Sequence, residues 1–297
     1  PSAWPCPAPQ EWTVSRMRKQ RYLTLEKRLS VPFWTKLAVP LVSIVAGFLF
    51  SAIFLLVSGE SSIEVYSVMF EGAFGSAYGL SETVVKMIPL MIISVGVAFA
   101  FKMQIWNAGG EGQLHVGAAA ATYVVLHLTG CSRFVTVLLA FLAAFICAGI
   151  YGLIPAILKV KWKVNELITC LMLNYVATFF VSWLIQGPWK DPTGFAFPRT
   201  RKIPSAGELT TFFGTRIHTG LIIGLAIALA LWFVIYKTRW GFEIKLIGAK
   251  EKVARYAGMS VNRNILLVMF LSAGIAGVAG MVEICGITHR LQANFAS

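Results

Sequence analysis

Charge is scarce in this sequence. Asp, Glu, Lys and Arg make up 13% of its 297 residues, about half the share typical of a soluble globular domain. A chain with so little polar surface is not a water-soluble enzyme. Hydrophobic residues at 57% exclude disorder as well, because almost every stretch can bury apolar area. Cysteine is sparse: Cys6, Cys131, Cys147, Cys170 and Cys285 show no Cys-x-x-Cys spacing, which excludes a disulfide framework and a cysteine metal site. His115 and His127 lie twelve apart with no further ligand nearby in sequence, so the histidines supply no metal site either. Nucleotide-binding loops are missing. There is no Gly-x-x-x-x-Gly-Lys-Ser/Thr, and His115 stands where a dinucleotide motif needs its third glycine, so the chain does not bind ATP by the usual phosphate cradle. Neither His-Glu-x-x-His nor Gly-x-Ser-x-Gly occurs, which argues against an intramembrane enzyme.

What is present is a series of long apolar runs with a basic excess between them. Leu37–Val57 is 21 residues without a charge, enough at ~1.5 Å per residue to cross a bilayer core of about 30 Å. Met87–Phe101, Leu114–Leu128, Phe134–Leu158, Leu167–Gly187, Thr219–Tyr236 and Ile265–Val282 follow, none containing Asp, Glu, Lys or Arg. The composition therefore predicts an all-α polytopic membrane protein with about seven transmembrane helices. The second and third runs are short for a straight crossing and read as tilted, broken or partly re-entrant. Residues 1–36 form a basic N-terminal segment, 37–297 the membrane domain, and 238–263 a basic loop within it.

The net charge of +13 lies between the apolar runs and is not interleaved with aromatics, so its counter-charge is anionic membrane lipid and not nucleic acid. Arg16, Arg18, Lys19, Arg21, Lys27, Arg28 and Lys36 precede the first run, while Glu60, Glu64, Glu71 and Glu82 follow it. The positive-inside rule then places the N-terminus in the cytoplasm. By parity Lys159, Lys161 and Lys163 are cytoplasmic, as is the stretch from Lys237 to Arg263. The connection Trp189–His218 carries Lys190, Arg199, Arg201, Lys202 and Arg216 yet falls outside by parity. An outer loop folded against a partner, or a short run that does not cross, would each account for it. Glu283 falls at the outer end of the last run, within reach of water. Ala273 with Gly277 and Ala276 with Gly280 have the small-x-x-x-small spacing of close helix packing.

Two stretches have the residues for function. Trp106-Asn-Ala-Gly-Gly-Glu-Gly-Gln113 sits between the two short runs, where glycines let the backbone leave helical geometry beside a carboxylate and two amides. A flexible turn with a solvated Glu111 is the plainer reading. In the basic loop, Ala249–Ala257 predicts one helix stopped by Gly258, with Val253, Tyr256 and Ala257 on one face. Such a helix can insert into a groove of a soluble partner, although every polytopic protein has basic inner loops.

Asn107-Ala-Gly-Gly-Glu-Gly-Gln113 resembles the Asn-Ile-Gly-x-Glu-Gly-Gln signature of permease subunits of bacterial ABC importers, in the branch handling nucleosides and simple sugars. Asn165-Glu-Leu-Ile-Thr-Cys-Leu-Met-Leu-Asn174-Tyr175 resembles a second segment of that family, and Gly241–Gly258, ending Ala254-Arg255-Tyr256-Ala257-Gly258, resembles its cytoplasmic coupling segment. Ala108 replaces the signature isoleucine, and Lys250-Glu251-Lys252 stands where relatives often carry Asn-Pro. Family members usually continue for two or three more spans, and a chain running from Pro1 to Ser297 is expected to be a fragment.

The resemblance implies the family's permease fold and a non-enzymatic, membrane-spanning subunit that binds no cofactor itself. ATP and Mg2+ would be bound by a separate ATP-binding subunit docked at Ala249, Val253, Ala254, Arg255, Tyr256, Ala257 and Gly258. It also implies a second permease, a substrate-binding lipoprotein outside the membrane, and the bacterial plasma (inner) membrane as location. A nucleoside is neutral and rich in hydrogen-bonding groups, so Trp106, Asn107, Glu111, Gln113 and Asn174 are the candidate pathway residues; a structural bond to a neighbouring helix is the commoner role for Asn174. A secondary transporter or channel working without ATP is the alternative.

Overall fold

The computed structural model describes residues 32–295 apart from 129, 193, 195–197, 213 and 294. Most of the expected basic N-terminal segment, residues 1–31, lies outside the described residues. The chain forms two compact units, divided after Tyr66. In the first, helix α1 (Phe33–Val57) is joined to the start of α2 (Ser62–Phe74). Tyr66 donates to the Phe48 carbonyl at 2.7 Å and Ser62 to that of Ala52 at 2.8 Å, each hydroxyl finding a backbone acceptor where lipid offers none.

The second unit contains α3 (Ala77–Phe101), α4 (Gly110–His127), α5 (Arg133–Trp162), α6 (Glu166–Gln186), α7 (Gly220–Lys237), α8 (Arg239–Ala249), α9 (Glu251–Tyr256) and α10 (Val261–Glu283). Helix α10 is its axis. Ser272 to Glu283 is buried without interruption, against α3, α4 and α5. Helices already immersed in lipid gain little from hiding apolar surface, so close van der Waals approach must hold them together. The small residues supply it. A Cβ on Gly277 would lie 2.3 Å from the Ala148 methyl and 2.6 Å from the Ala144 carbonyl, and one on Gly117 would lie 2.3 Å from Gly277 itself. The small-residue spacing in the last run is thus the meeting line of three helices.

Six described helices are long and apolar enough to cross a membrane: α1, α3, α5, α6, α7, and α10 continued by a π turn to Thr288. Two expectations change. The run starting at Met87 is the latter part of a 25-residue helix; Glu82, which shortened it in the sequence, pairs with Arg216 at 3.0 Å. The run Leu114–Leu128 is α4, only 18 residues and outside that group of six. Glu111, Gln113 and His115 lower its apolarity, and most of its residues face protein, so it need not match lipid.

Packing fixes the ends of the bundle. The ring of Phe99 of α3 lies tilted against that of Trp240 of α8, centroids 5.7 Å apart, and the Trp240 indole donates to Asn264 of α10 at 2.6 Å. Lys159 and Lys163 at the α5–α6 turn share a groove with Arg255 of α9. Both basic stretches therefore sit at one end. The connection Trp189–His218 caps the other. There the Thr200 amide donates to the Leu291 carbonyl at 2.9 Å, the Leu209 amide to that of Cys285 at 2.8 Å, and Arg290 pairs with Asp191 at 3.5 Å. The charges that resisted the positive-inside pattern belong to a folded cap on this chain.

The expected helix over Ala249–Ala257 is present as α9, shorter at its start. Ala249 closes α8, Lys250 is extended at φ −152° and ψ 93°, and α9 starts afresh at Glu251. The end of α8 is pinned because Gly248 lies against the Lys102 carbonyl. Gly258 at φ +78° ends the segment, as expected.

Gly277→Leu forces backbone apart along the α4–α5–α10 line, where overpacking costs at least ~1–3 kcal/mol. The variant is expected to melt at lower temperature in detergent or to fail to accumulate; a melt matching the parent's would refute this packing.

Candidate functional site

Helix α3 stops at Phe101, and Gln104 takes the left-handed region at φ 59°. The chain then threads through the protein as a non-helical connector, with Met103, Ile105 and Asn107 at 4%, 2% and 1% exposure. Non-helical backbone at membrane depth survives only where protein or a water-filled cavity satisfies its N–H and C=O groups. Three side-chain amides and a serine do this. Asn107 Nδ2 donates to Gln113 Oε1 at 3.0 Å and to Ser272 Oγ of α10 at 2.8 Å. Its Oδ1 accepts from Gln113 Nε2 at 2.8 Å and from the Gly109 amide at 3.2 Å. Asn174 of α6 grips the connector from the other side, donating to the Ala108 carbonyl at 3.0 Å and accepting from the Gly112 amide at 2.9 Å. A Cβ on Gly112 would meet Asn174 at 2.8 Å, so glycine is required there for this bond.

The five residues expected along a pathway are brought together but divide into two groups. Asn107 and Gln113 face inward and bond each other, and Asn174 fastens α6 to the start of α4. Their amides are occupied in holding the helix break. Trp106 and Glu111 face outward. Trp106 packs against Phe101 with tilted rings, centroids 5.1 Å apart, and is 57% exposed. Glu111, in the first turn of α4, is exposed on a cavity of about 290 Å3 with Lys86, Pro89, Leu90, Ile93, Leu114, Glu283 and Phe295. Its neighbour Gly112 is bonded to Asn174, near the middle of α6, which sets Glu111 level with that part of the bundle. Sequence inspection missed Lys86 and Glu283 as members of this group. Glu283 is 4% exposed, buried where water contact was expected, because α3, α4 and the π turn close around the end of α10.

The opposite cap holds an imidazole with few options. His218 is fully buried, and its Nδ1 accepts from the Gly220 amide at 3.2 Å. Burial first, then His289 and Arg216, push its pKa down to about 4, so the ring is neutral at physiological pH.

A family model described as "Branched-chain amino acid transport system / permease component" matches residues 79–295. The chain belongs to this permease family. It is 33% identical to the glucose ABC transporter permease protein TsgB13 of Haloferax volcanii, over 92% of this chain and 74% of that protein. Against the guanosine ABC transporter permease protein NupP of Bacillus subtilis it is 36% identical, over 86% of this chain and 73% of the relative. The nucleoside ABC transporter permease protein NupB of Lactococcus lactis is 31% identical, over 88% and 74%. No solved structure matches the chain.

The protein is thus the membrane-spanning permease subunit of an ABC importer, not an ATP-independent carrier. In this permease the connector is where α4, α6, α10 and an unwound segment share a buried polar network. Asn107→Ala strands Gln113 and Ser272 inside the bundle, at ~1–3 kcal/mol for each buried group left unpaired. The purified variant is expected to melt well below the parent, while Glu111→Ala, on the surface, melts with it. Equal melting temperatures for all three proteins would show that the network does not hold the connector.

Proposed function

We propose that this permease forms the translocation pathway for nucleosides or related simple sugars across a bacterial inner membrane. The observation that carries the reading is Glu111, an exposed carboxylate at membrane depth beside Lys86 and Glu283. Ionisable groups there do not face lipid; they line a water-filled path or a partner. Relatives whose names include guanosine, nucleoside and glucose support a small polar cargo. Trp106 and Glu111 are the pathway contacts, and Asn107, Gln113 and Asn174 hold those contacts in place.

Energy enters at the end bearing α8 and α9. Ala254 is buried and anchors α9, while Tyr256 is 92% exposed and Val253 45% exposed, a face without a cover among the described residues. Next to it lies a groove of about 800 Å3 between α8 and α10, lined by Trp240, Glu243, Met259 and Arg263 among others. The chain runs from α9 into α10 through Ala257–Ser260, and Asn264 of α10 is bonded to both Trp240 and Glu243 of α8, at 2.6 and 3.0 Å. A push on α9 therefore reaches the central helix directly. An ATP-binding subunit carrying ATP and Mg2+ docks on this face. A second permease completes the path, and a substrate-binding lipoprotein delivers the cargo from outside. The basic residues gathered at the α9 end support its placement in the cytoplasm, with the N-terminus on the same side.

Tyr256→Asp puts a charge on the docking face without touching the bundle core. It is expected to abolish co-purification of the ATP-binding subunit and ATP-dependent nucleoside uptake while membrane abundance is unchanged. Retained co-purification and uptake would remove α9 from the docking surface.

A further inference from the structure

The cavity beside Glu111 contains a group that no described residue satisfies. Glu283 is 96% removed from solvent (4% exposed), yet its Oε1 has no hydrogen-bond partner among the described residues. A buried carboxylate oxygen without a donor costs more than a buried neutral group, and here the side chain forms part of a cavity wall, its Oε1 closed off from solvent in this conformation. Such a group is made good by whatever enters. The cavity wall presents two carboxylates, Glu283 within and Glu111 at the surface, with the Lys86 ammonium beside them and the apolar faces of Leu90, Ile93 and Phe295 around them.

We propose that this cavity is a cargo subsite in which Glu283 and Glu111 accept hydrogen bonds from vicinal hydroxyls of a sugar ring. Three observations select that chemistry. Each carboxylate is an acceptor with two oxygens, and two adjacent hydroxyls present two donors at matching spacing. Lys86 offsets part of the negative charge, which favours a neutral polyol over a free cation. The volume of about 290 Å3 lies at the small end of the ligand-pocket range, enough for a sugar ring and not for a large cargo as a whole. The apolar side chains give the ring's C–H face a surface to lie on. In a nucleoside the group held would be the ribose, leaving the base outside the subsite. Transport requires that this hold be weak, and a few charge-assisted bonds at one exposed and one buried carboxylate meet that condition.

The inference rests on the proposed function, and one experiment separates the two. The complete importer, with its ATP-binding, partner and binding-protein subunits, is tested in cells for uptake of labelled guanosine, 2′,3′-dideoxyguanosine, glucose and leucine. For each cargo the variant's rate is divided by the parent's, which cancels the preference of the binding protein. Glu283→Gln and Glu111→Gln are each expected to lower uptake of the hydroxylated cargo about tenfold and that of the dideoxy analogue about twofold or less, at equal membrane abundance. Should Glu283→Gln fail to accumulate, the surface variant Glu111→Gln decides alone. Equal losses on both cargoes, or no loss on either, would overturn the subsite while leaving the functional reading intact. A parent importer that carries leucine and neither guanosine nor glucose would overturn the functional reading, and the subsite with it.

Discussion

Backbone polar groups inside a bilayer have no water to bond, and that constraint organises this permease. A continuous helix solves the problem internally, but the chain between Phe101 and Gly110 is not helical, and Met103, Ile105, Asn107 and Gly109 within it are buried. Asn107, Gln113, Asn174 and Ser272 supply the missing partners and in doing so tie the connector to α4, α6 and α10. The gain is positional. Starting a helix there puts its first turn, with Glu111, on the cavity wall that Lys86 and Glu283 share. The cluster is polar for the sake of placement: a run of leucines would pack as well and could not satisfy an unwound segment.

The remaining architecture brings that cluster into register. Helix α10 reaches the network through Ser272 and approaches α4 and α5 through its glycines and alanines. The same helix begins next to α9 and ends at Glu283 in the cavity. The exposed face of α9, the helix break and the cavity are thus arranged along one tightly packed element, whose side chains have little room to move independently.

Much of this was readable in the sequence, and the failures have physical causes. Uncharged runs located the crossing segments because lipid enforces apolarity, yet Glu82 and Lys86 hid the first ten residues of α3, since a chain written in order does not reveal that Arg216 arrives to pair with Glu82. The short run Leu114–Leu128 was legible as anomalous, and its polar start proved to be the break itself. Composition drew attention to the Trp106–Gln113 stretch, but which of its residues point inward depends on α6 and α10, far away in sequence. Glu283 was misplaced for the same reason: its burial comes from α3 and α4. At Lys250 the helix formers on either side gave no sign that α8 would be stopped by contact with the connector.

The central claim is that the face bearing Glu111 is open to water at membrane depth, in contrast to the apolar surface elsewhere on the bundle. In a chain whose cysteines are replaced by serine, Glu111→Cys and Ile150→Cys, the latter on an exposed apolar stretch of α5, can each be treated with a charged, water-soluble thiol reagent in assembled importer membranes. The account predicts labelling at 111 and none at 150. An unreactive thiol at 111, in folded and transport-competent protein, would contradict it.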